Sequence, residues 1–125
     1  MVAYLWASPA SLLGLSIAAL ASRRARVALV DGVIEVHGPA LAWALHTLTP
    51  WCGGAAAITF GHVVLGRDQG ALDNTRTHER VHVRQYEHWG PLFIPAYFAA
   101  GAWAWLRGRD AYYDNPFERE AFAAE

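Results

Sequence analysis

Thr77-His78-Glu79-Arg80-Val81-His82 sets two histidines four residues apart, with a glutamate beside the first. On an α-helix, residues four apart lie on one face, one turn above the other, so His78 and His82 can offer imidazole nitrogens to a single ion with Glu79 next to it. Zinc held by three protein groups leaves a position for a water whose pKa it lowers to about 7, and a neighbouring carboxylate can take that proton. The flanks favour a helix. Asp73 or Thr75 suits its start, the run from Arg76 to Trp89 contains neither Gly nor Pro, and Gly90-Pro91 stops it. The stretch therefore predicts a central helix with His78 and His82 as metal ligands and Glu79 as general base.

A three-ligand site needs one further group. Asp114-Asn115-Pro116-Phe117-Glu118-Arg119-Glu120-Ala121 offers a carboxylate at a helix start, where Asn115 can cap, Pro116 suits the first helical position and acidic residues suit the first turn. His78-Glu79-x-x-His82 followed by Glu118-x-x-Ala121 resembles the gluzincin metallopeptidases, in particular the compact minigluzincins and the membrane-associated CAAX-prenyl-protease-like branch. The resemblance spans roughly the last 50 residues and rests on these two motifs. It implies that Glu118 is the third zinc ligand, that Ala121 packs against the first metal helix, and that the reaction is hydrolysis of a peptide bond. It also implies that the strand before the metal helix, Thr59 to Leu65, lines the cleft and binds an extended substrate as an added strand. Phe122 stands where an Asp often follows the second motif, and Arg76, Arg80 and Arg84 stand where many zincins carry uncharged residues. Glu118 also lies three residues after Asn115, the spacing of a capping box, which would leave Glu120 or no carboxylate at all to the metal.

Around these groups, Tyr112 and Tyr113 are candidate donors to the oxyanion that forms when water attacks a carbonyl, or else packing aromatics. Asp114 is a candidate partner for the free ring N–H of a metal-bound histidine. His37 and His46 read as ordinary polar positions; His62 reaches the site only if its strand borders the cleft, and His88 lies off the metal face. Arg76, Arg80 and Arg84 form a stripe at four-residue spacing, expected to pair with acidic residues such as Asp73 and Glu87.

At 125 residues the chain is expected to be one domain, residues 1–125, with residues 25–125 as the hydrolase core. A net charge of −1 gives no basic footprint, so no nucleic acid is expected as a partner. The single cysteine, Cys52, excludes an intrachain disulfide and reads as a small buried group. Residues 1–22 are an apolar N-terminal helix or a membrane anchor. The 20 uncharged residues from Val2 to Ala21, followed by Arg23, Arg24 and Arg26, favour an anchor with the site on the cytoplasmic side. Ser8-Pro9 as a helix start favours instead a shorter core helix in a soluble cytoplasmic protein.

Arg26 to His37 is the clearest β signal: Val27 to Val30 and Val33 to Val36 flank Asp31-Gly32, a favoured two-residue turn. A short helix from Ala40 to Leu48 and a β-rich run from Ala56 to Leu65 follow. Leu92 to Leu106 is apolar on all faces. If it crossed a bilayer, Glu118 would lie on the other side from His78 and His82. The zinc reading therefore requires it to turn back, either buried against the metal helix or lying in the membrane interface with its Trp residues at headgroup level. The first helix is the available partner to cover it. The expected fold is α+β: a β-hairpin and one further strand, a central metal helix, a long apolar helix and a short C-terminal helix. The expected function is that of a zinc-dependent hydrolase acting on a peptide or protein substrate, the alternative being a membrane-associated zinc-binding protein without turnover. The sequence names neither the substrate nor the oligomeric state.

Overall fold

The computed structural model describes residues 2–20, 25–49 and 54–125, the side chains of Val2 and Ala3 excepted. The expected α+β fold forms. In chain order the elements are α1 (Val2–Leu20), β1 (Arg26–Val30), β2 (Val33–His37), α2 (Pro39–Leu48), β3 (Ala57–Phe60), β4 (Val63–Gly66), α3 (Gln69–Trp89), α4 (Phe93–Leu106) and α5 (Pro116–Ala123). A 3-10 turn, Gly90–Leu92, joins α3 to α4. Cys52, Arg23 and Arg24 lie outside the described residues.

The four strands form one sheet in the order β1-β2-β4-β3. Asp31 and Gly32 both have positive φ, 51° and 79°, as the tight hairpin between β1 and β2 requires. The run from Ala56 to Leu65, expected as one strand, folds as two. Gly61 takes φ 63° and reverses the chain, so that Phe60 pairs with Val63 and β3 returns antiparallel to β4. A β-rich composition does not distinguish one strand from a hairpin; only the glycine marks the break. The reversal puts β4 inside the sheet, parallel to β2, and leaves β3 on an edge.

Alternation along the strands then sorts the side chains between two layers. Val33, Ala57 and Val64 meet Leu72 and Val83 of α3 on one face, while Val36, Val63 and Leu65 meet Leu41 of α2 and Ile17 of α1 on the other. Glu35 and Thr59 fall in step with the first set and so point toward α3. That placement comes from strand parity, and it builds both polar clusters described below.

α3 starts earlier than expected. Asp68, not Asp73 or Thr75, is its N-cap, accepting from the Ala71 N–H at 2.7 Å, so the helix gains two turns that carry Leu72 into the core. Gly90 ends it as expected, with φ 59° and its N–H on the Tyr86 carbonyl. A side chain at Gly90 would strike the Trp6 ring.

α1 runs through Pro9 instead of starting there. Proline cannot donate to the Leu5 carbonyl four residues back, and the Ser8 hydroxyl donates to it at 2.7 Å. Ala7 and Ala10 are buried with Tyr86 and Phe93, the Ser11 hydroxyl accepts from the His62 N–H, and the Trp6 indole donates to the His88 carbonyl. Among the described residues no helix is long and apolar enough to cross a membrane. The expected spanning anchor is thus replaced by a helix docked along the sheet and α3. Its cover for α4 is partial: Phe93 and Ile94 pack near Ala7 and Ala10, but Trp103, Trp105 and Leu106 are exposed.

Candidate metal centre

The three triad side chains are placed first by rules local to the helices that carry them. His78 and His82 lie one turn apart on the face of α3 opposite the arginines, and both are buried. α4 turns the chain back, as the triad geometry demands, and its Gly101 lets the loop before α5 approach; a Cβ there would lie 3.0 Å from the Ala111 carbonyl. Asn115 caps α5 by accepting from the Phe117 N–H and ties it to α4 by donating to the Tyr97 carbonyl, both at 3.0 Å. Pro116 holds the first helical position. Ala121 is fully buried in α5, which packs on α3.

These constraints bring Glu118 onto the histidines. Its Oε2 lies 3.0 Å from His78 Nε2 and 3.3 Å from His82 Nε2, and the two nitrogens are 3.2 Å apart. The group can hold a metal ion. Three ligands at about 2.0–2.1 Å in tetrahedral directions stand about 3.3 Å from one another, so the observed triangle needs little change to seat zinc. Glu118 does not form a capping box, and Glu120 is exposed, accepting from Gln85 Nε2 at 3.0 Å. Two imidazoles and a carboxylate converge on one point, and two of the three are fixed from behind. Gln85 Oε1 is 2.8 Å from His82 Nδ1, which sets the tautomer with its Nε2 lone pair facing inward. The Tyr97 hydroxyl donates to Glu118 Oε1 at 2.8 Å.

Electrostatics reflect the convergence. Burial pushes the Glu118 carboxyl up, but hydrogen bonds from His78 and His82 outweigh it and hold its pKa down to about 2. Burial likewise lowers the His82 imidazolium, but the Glu118 carboxylate, with Glu79 and Gln85, raises it to about 9. Both shifts express one interaction: without a metal, a proton on His82 balances Glu118. Glu79 is different. Its carboxyl is pushed up by burial, against the pull of His82 and a hydrogen bond from Thr59 Oγ1 to Glu79 Oε2. A raised carboxyl beside a metal position is suited to shuttling a proton.

The site opens into a cavity of about 160 Å³, with Glu79, His82 and Glu118 in its wall. Ile58, Phe60, Ile94, Phe98 and Tyr112 make the rest mainly apolar. Of the expected strand, β3 borders this cavity and β4 does not.

Among the other expected residues, Tyr112 lines the cavity, whereas Tyr113 is 55% exposed and stacks on Phe122. Asp114 does not reach a histidine. Its Oδ2 accepts from the Asp110 N–H at 2.8 Å, within the loop, and Gln85 holds His82 instead. His62 turns away from the cleft to pair with Glu87 at 2.9 Å, stacked on Tyr4. Sequence reading missed Gln85, Tyr97 and the contact of Thr59 with Glu79. Gln85 had a signal, since a residue three after His82 lies on the same helix face; Thr59 and Tyr97 reach the site only through the sheet and α4. The chain matches no protein-family model, no curated protein and no solved structure.

Proposed function

We propose that this protein is a zinc-dependent hydrolase of the gluzincin type that cleaves peptide bonds, with His78, His82 and Glu118 as ligands. The observation that carries the reading is the Nε2, Nε2 and Oε2 triangle at 3.0–3.3 Å, facing an apolar cavity with Glu79 at its edge. Zinc in that position supplies a Lewis acid and an acidified water. Glu79 takes the proton of the attacking water and delivers it to the leaving amine as the C–N bond breaks and the new C–O bond forms. Thr59 holds that carboxylate in place, and the Tyr112 phenol serves as donor to the developing oxyanion.

β3, an edge strand, offers unpaired backbone groups to an extended peptide. The adjoining cavity suits one apolar side chain, since a space of about 150 Å³ accommodates benzene. The exposed Leu5, Leu12, Leu20, Trp103, Trp105 and Leu106 support association with a membrane interface without spanning it. Co-sedimentation with anionic vesicles tests that association.

The decisive experiment is elemental analysis of purified wild type beside His82→Ala and Glu118→Ala. One zinc per chain, lost in both variants, is the expected result; no zinc in the wild type after reconstitution overturns the reading. The alternative, a metal that only staples α5 to α3, predicts the same metal content with no peptide cleavage by the wild type. Among the described residues only His78, His82 and Glu118 converge as ligands, and this favours the hydrolase, because a structural site is normally closed by a fourth protein ligand.

A further inference from the structure

His78 differs from the other two triad members in what stands behind it. Gln85 stands behind His82 and Tyr97 behind Glu118. His78 Nδ1 points away from the cavity, is buried, and has no hydrogen bond among the described residues. Glu125 Oε1 lies 3.3 Å from that nitrogen, at ion-pair distance. We propose that Glu125 is a positioning residue of the metal centre, its carboxylate accepting the N–H of His78 Nδ1 and fixing the tautomer that presents Nε2 to the metal. The inference rests on the zinc reading above.

The spacing explains how one segment does both jobs. Glu118 and Glu125 are seven residues apart, about two helical turns, so they return to the same side of α5 about 10 Å apart along its axis. The chain keeps turning past the end of the helix, with the Ala124 N–H on the Ala121 carbonyl and the Glu125 N–H on the Phe122 carbonyl. The two carboxylates therefore bracket the His78 ring, Glu118 at Nε2 and Glu125 at Nδ1. Phe122 stands edge-on to the ring at 4.6 Å, filling the space between them with an apolar wall. It cannot accept a hydrogen bond, so Glu125 carries that task.

A carboxylate 46% exposed would gain full hydration by swinging outward. What holds it inward is a buried donor with no other acceptor among the described residues. A metal on Nε2 strengthens the contact, because the neutral ring must then carry its proton on Nδ1 in every molecule. The contact should tighten on loading and matter little in its absence.

The test compares wild type, Glu125→Gln and Glu125→Ala, each as the full chain. Zinc affinity is measured by competition with a chromophoric chelator, the visible spectrum of the cobalt-substituted protein is recorded, and the metal-free protein is melted. Glu125→Ala should weaken zinc binding about 10- to 100-fold and change the cobalt bands, with the metal-free melting temperature unchanged. Glu125→Gln keeps a neutral acceptor and should fall between. Zinc affinity of Glu125→Ala within about twofold of wild type overturns the role of Glu125 and leaves the metal centre standing. An equal loss of metal-free stability marks Glu125 as merely structural and also overturns it. A wild type that binds no zinc overturns both readings together.

Discussion

α3 carries two polar clusters on opposite faces, and they are built on opposite electrostatic principles. Arg76 and Arg80 are two residues out of step with His78 and His82, roughly 200° round the helix. On the arginine side, Glu35 of β2 receives Arg76 through two hydrogen bonds, at 3.0 and 2.8 Å, and Arg80 at 3.0 Å, while Asp73 also binds Arg76. Fixed cations meet fixed anions, and Arg80 donates as well to the Val30 carbonyl. On the histidine side, three groups that are acceptors in their basic forms face one another within 3.3 Å. That cluster is balanced only by something mobile, a proton or a metal ion. A self-balanced cluster is fastening; one that needs a cation from outside can hold a metal ion.

The largest expected effect separates chemistry from binding on the histidine side. Glu79→Gln should lower peptide hydrolysis by about 10²- to 10⁴-fold while zinc content stays at wild-type level. Loss of the metal in this variant would make Glu79 part of the fastening and sink its role as base.

Next comes the arginine side. Glu35→Gln leaves two guanidinium groups without their shared carboxylate and should cost about 3 kcal/mol in a urea titration. Since this face is independent of the metal, zinc content should not change; a zinc loss in the folded variant would break the distinction between the two clusters.

Gln85→Leu keeps the size of the side chain and removes the acceptor for His82 Nδ1. Zinc affinity should fall about 10- to 100-fold, read by chelator competition. No change would mean that His82 needs no support to coordinate.

The pH response on the histidine side should be gentler. The raised His82 contributes stability to the metal-free protein that is fully present below the ordinary histidine value and lost as pH rises through about 9. The lowered Glu118 contributes stability present above the ordinary carboxylate value and lost as pH falls toward about 2. These are the two ends of one interaction, strongest between the ordinary values of 4.5 and 6.5. Zinc must displace the His82 proton, so its affinity should rise by up to about tenfold per pH unit until about pH 9. Affinity independent of pH across this range would show that the imidazole carries no proton to release.

The same contrast explains what could be read in advance. Four-residue spacing put His78 and His82 on one helix face, Asn115-Pro116 started α5, Asp31-Gly32 made a hairpin and Gly90 ended α3. Each is local, decided by residues within a turn of one another. The boundary errors were local too: Asp68 outcompeted Asp73 and Thr75 as the cap of α3, and Gly61 divided one expected strand into two.

The sequence by itself determined the helix that carries His78, Glu79 and His82, the start of the helix that carries Glu118, and the need for α4 to turn back between them. Only the tertiary structure decided which groups stand behind the triad, and that α1 docks on the sheet. It also decided that Thr59 meets Glu79 and that Glu35 joins the arginines. The reason is that spacing along a chain fixes direction within one element, whereas contacts between elements depend on strand parity and packing distance. No short stretch of sequence contains those.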